Sequence, residues 1–293
     1  MKGLLFPGQG AQFSGMGKEL YDKSQEARNI FDGADNLLGF KLSEVMFSGS
    51  DEELKSTDIT QPALFVHGVA SFRSVENEIS FKGVAGHSLG EFTALVASGC
   101  LSFEDALELV RTRANAMQKA CELVPGTMAA VVGLDDKVVE DVCSNIQETV
   151  VTANYNCPGQ LVISGSLEGV NKAVDELKEK GAKRAIVLEV GGAFHSPLMQ
   201  PAKDELEEKI NAITFNKPNC PIYQNVTARG ETSPDEIKQN LIEQLTSPVK
   251  WTMSMEQMIA DGFDEFIEMG GKGMVLRGLM RRINRSAQTD SVN

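Results

Sequence analysis

The run Gly86-His87-Ser88-Leu89-Gly90-Glu91 restricts what this chain can fold into more than any other stretch. Phe81-Lys82-Gly83-Val84-Ala85 before it is short and apolar enough for a buried strand. Phe92-Thr93-Ala94-Leu95-Val96-Ala97 after it is good helix-forming material that stops at Ser98-Gly99. Glycine two residues either side of Ser88 lets the backbone reverse without a Cβ clash, and lets helix and strand pack closely. A strand that turns sharply into a helix at a serine presents its hydroxyl as a nucleophile. At that helix N-terminus, free N–H groups and the positive dipole end favour a developing oxyanion. The bland alternative is a Ser-Gly turn before a helix cap; the flanking strand and helix favour the nucleophile.

The rest of the chain alternates in a way that supplies such a sheet. Gly3-Leu4-Leu5-Phe6 reads as a first strand, running into the turn Pro7-Gly8-Gln9-Gly10-Ala11-Gln12. Helices are expected over about 17–32, over 51–77 with Pro62 in a first-turn position, and over 102–123. From Thr127 the pattern changes to strand, helix, two strands, helix and strand over 128–190, the ferredoxin-like order. Helices over about 201–212, 234–245, 251–261 and 274–284 and strands over 221–226 and 263–268 follow. The tail 286–293 reads as disordered. The expected fold is therefore α/β, a mainly parallel sheet with helices on both faces. Residues 1–124 and 191–293 form the large domain, and residues 125–190 a small inserted one.

A serine nucleophile needs a base, and the chain has three histidines. His87 adjoins Ser88 and points elsewhere from an elbow. His67, in Leu64-Phe65-Val66-His67, reads as a packed helix position. His195, in the loop that returns from the insertion, remains as the base. No acid between Ser88 and His195 is well placed to orient it, so a backbone carbonyl or a side-chain amide is expected to fix its tautomer. The oxyanion donors should be the Leu89 N–H and one amide from the Gly8-Gln9-Gly10 turn. Of Arg111 and Arg113 on the following helix, one should face inward beside Val110, Ala114 and Met117, where it needs an anionic partner.

Net charge is −13, which argues against a nucleic-acid partner and makes any anionic substrate depend on a local cation. No run approaches a membrane span, and Met1–Gly8 holds too short an apolar stretch for a secretory leader, so a cytoplasmic protein is expected. Five scattered cysteines without C-x-x-C spacing read as reduced, buried small hydrophobes.

Several of these motifs together resemble the malonyl-CoA:acyl carrier protein transacylase family. They are Gly8-Gln9-Gly10-Ala11-Gln12, Gln61-Pro62-Ala63, Gly86–Glu91, Arg113 with Met117-Gln118, Asn154–Gln160, Phe194–Met199 and Pro248-Val249-Lys250-Trp251. The match is collinear from Phe6 to about Ile283. The resemblance implies an α/β-hydrolase-like domain carrying a ferredoxin-like subdomain. It implies Ser88 as nucleophile, His195 as base, the Gln9 and Leu89 amides as oxyanion hole, and Arg113 as clamp on a malonyl carboxylate. It implies that the main-chain carbonyl of Gln244 orients the histidine, with Asn156 as a second polar partner there and a substrate-binding residue. No metal and no cofactor are implied. The implied partner is acyl carrier protein and the donor substrate malonyl-CoA; as an isolated catalytic unit the chain is expected to be a monomer. Two positions depart from the family pattern: glycines at Gly191-Gly192, and Gly271 where proline is usual.

Three functions are compatible with these residues. A malonyl transferase, for fatty-acid or polyketide synthesis, would use all of them. A serine esterase or thioesterase would need Ser88 and His195 but no carboxylate clamp. A non-catalytic carrier-protein docking module would need neither.

Overall fold

The computed structural model describes all 293 residues. Ten strands fall into two sheets: β1 (Lys2–Phe6), β2 (Gly83–Gly86), β3 (Gly126–Val132), β4 (Val150–Cys157), β5 (Gln160–Ser166), β6 (Arg184–Val187), β7 (Ile222–Tyr223), β8 (Gly230–Glu231), β9 (Glu265–Met269) and β10 (Gln288–Val292). The first sheet has the order β10-β9-β1-β2-β7-β8 and the second β4-β5-β3-β6. Every pairing in the first sheet is parallel except β7 with β8. The second is antiparallel throughout.

Parallel strands need helical crossovers that cover both faces, so central strands are buried and read as continuous apolar runs. β1 and β2 fit this, with Leu4, Leu5, Phe6, Val84 and Ala85 all buried. Their register sets Phe6 beside Gly86, which places the serine turn just past the carboxyl ends of the central strands. Ligands bind in that region of open α/β sheets. The 21-residue helix Phe103–Leu123 starts at an N-cap, Ser102, whose side chain accepts from the Asp105 N–H. It carries a long apolar face through Leu107, Val110, Ala114 and Met117.

The second sheet, with the helices Asp136–Asn145 and Leu167–Glu179, is the ferredoxin-like unit. Ala129, Val131, Leu161 and Ile163 pack with those helices into a core of their own. Met128, Ala153 and Val162 instead join the core of the large sheet. Alternation along the strands thus serves two cores, and the second face closes over the serine turn.

Four local expectations are corrected. The tail is not disordered: Gln288–Val292 adds a parallel strand to β9, and the Gly270 N–H donates to the Val292 carbonyl. The helix expected over 17–32 is two helices, Lys18–Lys23 and Gln25–Leu38, broken at Ser24, whose side chain caps the second. The helix expected from residue 51 starts at Thr57 after a short 3₁₀ turn and ends at Val75. Pro62 therefore lies inside that helix rather than in its first turn. A short helix, Leu42–Ser48, was not expected. The tail and the helix break are decided by tertiary pairing and a cap, which outweigh composition and period.

Gly271 has φ 60, a left-handed value that the proline ring cannot adopt. A Cβ there would stand 2.9 Å from that of Ala11. The turn therefore needs glycine to lie against the Pro7–Ala11 loop.

Candidate active site

Ser88 stands two residues past the end of β2 and has φ 52, a left-handed conformation uncommon for a residue with a side chain. Such strain costs of order 1–3 kcal/mol and persists where the surroundings over-determine it. Here they do. The Ser88 N–H donates to Asn225 Oδ1 at 2.7 Å, and Asn225 Nδ2 donates to the Gly86 carbonyl at 2.6 Å. The Gln244 amide donates to the Ser88 carbonyl at 3.1 Å. Close packing under the turn demands glycine: a Cβ on Gly90 would stand 2.0 Å from the Phe6 carbonyl oxygen.

His195 also has positive φ, at 57, and its Nε2 lies 2.8 Å from Ser88 Oγ. Nδ1 faces two backbone carbonyls, Gln244 at 3.0 Å and Ser247 at 3.2 Å. Carbonyls only accept, so Nδ1 carries the proton and Nε2 is left to accept from the serine hydroxyl. The Ser247 carbonyl had no signal in the sequence. Asn156 is not the second partner of this histidine, which corrects the expectation. Its Oδ1 lies 2.8 Å from Nε2 of His87, whose ring packs against Trp251 at 5.5 Å. Asn156 still lines the cavity beside Ser88.

Arg113 is 1% exposed and Arg111 is not buried: Arg111 pairs with Glu108 on the helix surface at 2.6 Å. The Arg113 guanidinium donates to Gln61 Oε1, to Ser88 Oγ at 2.9 Å and to Gln244 Oε1 at 3.3 Å. Its Nε has no protein partner. The expected anionic partner is absent from this set: amide oxygens and the nucleophile itself meet the guanidinium. Burial lowers the Arg113 pKa to about 10, partly offset by the Glu91 carboxyl, so it is a full cation at neutral pH.

Glu91, 1% exposed, accepts from the Asn225 N–H at 2.8 Å and from the Gln224 amide at 3.1 Å. Burial raises its pKa to about 7 against these hydrogen bonds and the Arg113 charge. Burial likewise drives His195 down to about 3, helped by Arg113 and opposed by the two carbonyls. The imidazole is thus neutral and able to take a proton.

The Leu89 N–H, at the mouth of the helix Gly90–Ala97, and the Gln9 N–H donate to no protein group. Both residues line one cavity of about 180 Å³ with Ser88, Arg113 and His195. Met128 and Val162 close it from the antiparallel sheet. Asn225 and Ser247 were not among the expected site residues, and Glu91 and Gln61 carried no expected role. Glu91 had a signal: it is the one charged residue in an otherwise apolar helix. Chemically, the arrangement holds a hydroxyl between a neutral base and a buried cation, with free amides beside it. That suits attack on an acyl group that carries a negative charge.

The acyl transferase domain family matches residues 4–292. The chain is 46% identical over 294 residues to a malonyl CoA-acyl carrier protein transacylase of Bacillus subtilis, with 99% of this chain and 92% of that protein covered. An acyl carrier protein S-malonyltransferase structure from Vibrio cholerae superposes with a TM-score of 0.95 at 41% identity, covering 100% of this chain and 96% of that one. A malonyl-transacylase solved in complex with its type II PKS acyl-carrier protein gives 0.95 at 37%, again over 100% and 96%.

Proposed function

Because the chain belongs to the acyl transferase domain family, we propose that it moves the malonyl group from malonyl-CoA to the phosphopantetheine thiol of acyl carrier protein. The observation that carries this reading is the pair of contacts on one oxygen. Ser88 Oγ lies 2.8 Å from a neutral imidazole and 2.9 Å from a buried arginine with no carboxylate bonded to it. A hydrolase of neutral esters has no use for that cation; an enzyme for malonyl thioesters does.

In the first half-reaction His195 Nε2 takes the Ser88 proton as Oγ attacks the thioester carbonyl. The oxyanion develops toward the Leu89 and Gln9 N–H groups, where preorganised donors stabilise it without reorganisation. The C–S bond breaks, and the proton passes from His195 to the leaving CoA sulfur. In the second half-reaction His195 takes the carrier thiol proton, the thiolate attacks the malonyl-serine ester, and the proton returns to Ser88. Arg113 holds the malonyl carboxylate throughout, by parallel hydrogen bonds of its planar fork. The carbonyls of Gln244 and Ser247 keep the base in the tautomer both halves require. The malonyl-carrier product would supply fatty-acid elongation, with malonyl loading for polyketide synthesis as the second reading, since one similar structure is a malonyl-transacylase in complex with its type II PKS acyl-carrier protein.

Initial rates test the two-step scheme. Malonyl-CoA varied at several fixed carrier-protein concentrations should give parallel double-reciprocal lines, the signature of an intermediate formed before the acceptor binds. Lines that intersect would contradict it.

A further inference from the structure

Arg113 does more than face a substrate carboxylate. In the free enzyme its guanidinium donates to Ser88 Oγ at 2.9 Å, and the same oxygen is 2.8 Å from His195 Nε2. A fixed cation thus stands one oxygen away from the base. Both side chains are buried, so water screens the pair weakly. The other groups around the imidazole offset that charge only in part. Gln244 and Ser247 present carbonyls, burial disfavours the charged form of His87, and Met128 and Val162 of the antiparallel sheet are apolar. Glu91 feels Arg113, yet burial opposes its ionisation and its bonds run to Asn225 and Gln224.

We propose that the acyl group switches on its own base: a carboxylate seated on Arg113 cancels the charge against which His195 would otherwise have to take a proton. This inference rests on the malonyl-transfer reading above and deepens it. Discrimination against neutral acyl groups then has two parts. One is binding of the carboxylate. The other is the proton transfer itself, because an acetyl group leaves Arg113 uncompensated while the Ser88 proton moves to His195. The carboxylate also takes guanidinium donors that otherwise sit on Ser88 Oγ, freeing that oxygen to attack. A unit charge at roughly 5–6 Å in a medium of effective dielectric 20 shifts a neighbouring titration by about two pH units.

The experiment is an NMR titration of protein carrying ¹⁵N-labelled histidine, with the His195 resonance assigned by its loss in His195→Gln. Three states are compared: free enzyme, malonyl-enzyme made with malonyl-CoA, and acetyl-enzyme made with p-nitrophenyl acetate. The expected result is a His195 midpoint about two pH units higher in the malonyl-enzyme than in the acetyl-enzyme. Arg113→Gln, which removes the charge and keeps an amide donor, should raise the free-enzyme midpoint by a similar amount. Coincident midpoints for the two acyl-enzymes overturn the inference while leaving malonyl transfer intact, and that comparison needs no variant. An unchanged midpoint in folded Arg113→Gln overturns it as well. Failure to form any malonyl-serine ester overturns the malonyl-transfer reading and this inference with it.

Discussion

Replacing Arg113 by alanine separates substrate recognition from the chemistry of the serine. The side chain is 1% exposed and ends at Ser88 Oγ, so a malonyl carboxylate must meet it away from solvent. Leaving one partner of a buried hydrogen-bonded charge pair alone costs roughly 2–5 kcal/mol. At about 1.4 kcal/mol per decade, kcat/KM for malonyl-CoA should fall by about 30-fold to several thousand-fold. Acetyl-CoA has no carboxylate to strand. The hydrogen bonds from Arg113 to Ser88, Gln61 and Gln244, net contributions of about 0.5–1.5 kcal/mol each, are missing from the variant with either thioester and drop out of the comparison. For acetyl-CoA some of that loss is returned, because a neutral acyl group no longer faces an unpaired cation. The predicted outcome is a ratio of malonyl to acetyl kcat/KM that collapses by at least about tenfold. Lysine should restore only part of it, offering a point charge without the fork. The assay is kcat/KM for both thioesters in wild type, Arg113→Ala and Arg113→Lys. Equal losses for the two substrates would refute the reasoning and make Arg113 a structural residue. Arg111 would not then inherit the role, since it is paired with Glu108 on the surface.

Three further outcomes are expected. His195→Ala should slow both acylation and transfer by on the order of 10³–10⁶-fold in single-turnover kinetics, leaving what the oxyanion donors and binding supply; a loss confined to one half-reaction would contradict a shared base. Asn225→Ala orphans the Ser88 N–H and the Gly86 carbonyl, so urea denaturation should show a loss of about 1–3 kcal/mol for each group left unpaired, and a variant as stable as wild type would remove the brace. Stability should fall as pH drops from about 6.5 toward 4.5: burial holds His67 near 4 and His195 near 3 and also lowers His87, so in this window the unfolded chain binds more protons than the native one. Glu91, raised to about 7, opposes this with one native-state proton above about 4.5, and the three histidines outweigh it. Urea midpoints that rise on acidification across that window would contradict the burial of neutral imidazoles.

The nucleophile and base were legible because each is carried by local sequence. Ser88 sits in a strand-turn-helix pattern, and only one of three histidines lies in a loop free to reach it. The ferredoxin-like order was legible from period alone, since β-branched runs and one strongly amphipathic helix, Leu167–Glu179, alternate cleanly. Arg113 was legible from its place beside the face through Val110, Ala114 and Met117 and from the family resemblance, and the fold buries it while Arg111 pairs with Glu108 at the surface. Asn225 was not legible. Its importance comes from β7 lying beside β2 in the sheet, a pairing across more than a hundred residues that no local pattern encodes. The tail was misread for a similar reason: its polar residues form an edge strand only because β9 is there to pair with it. Asn156 was misassigned because its partner is fixed by how the antiparallel sheet meets the serine turn, which sets its amide on His87 instead of His195.

The central claim, a malonyl ester on Ser88 that waits for a thiol, is tested most directly by intact mass of the protein after brief incubation with malonyl-CoA. The account predicts a single malonyl adduct, mapped to the peptide containing Ser88, absent in Ser88→Ala and discharged when carrier protein is added. Rapid release of free malonate without a persistent adduct, or an adduct that survives Ser88→Ala, would contradict it.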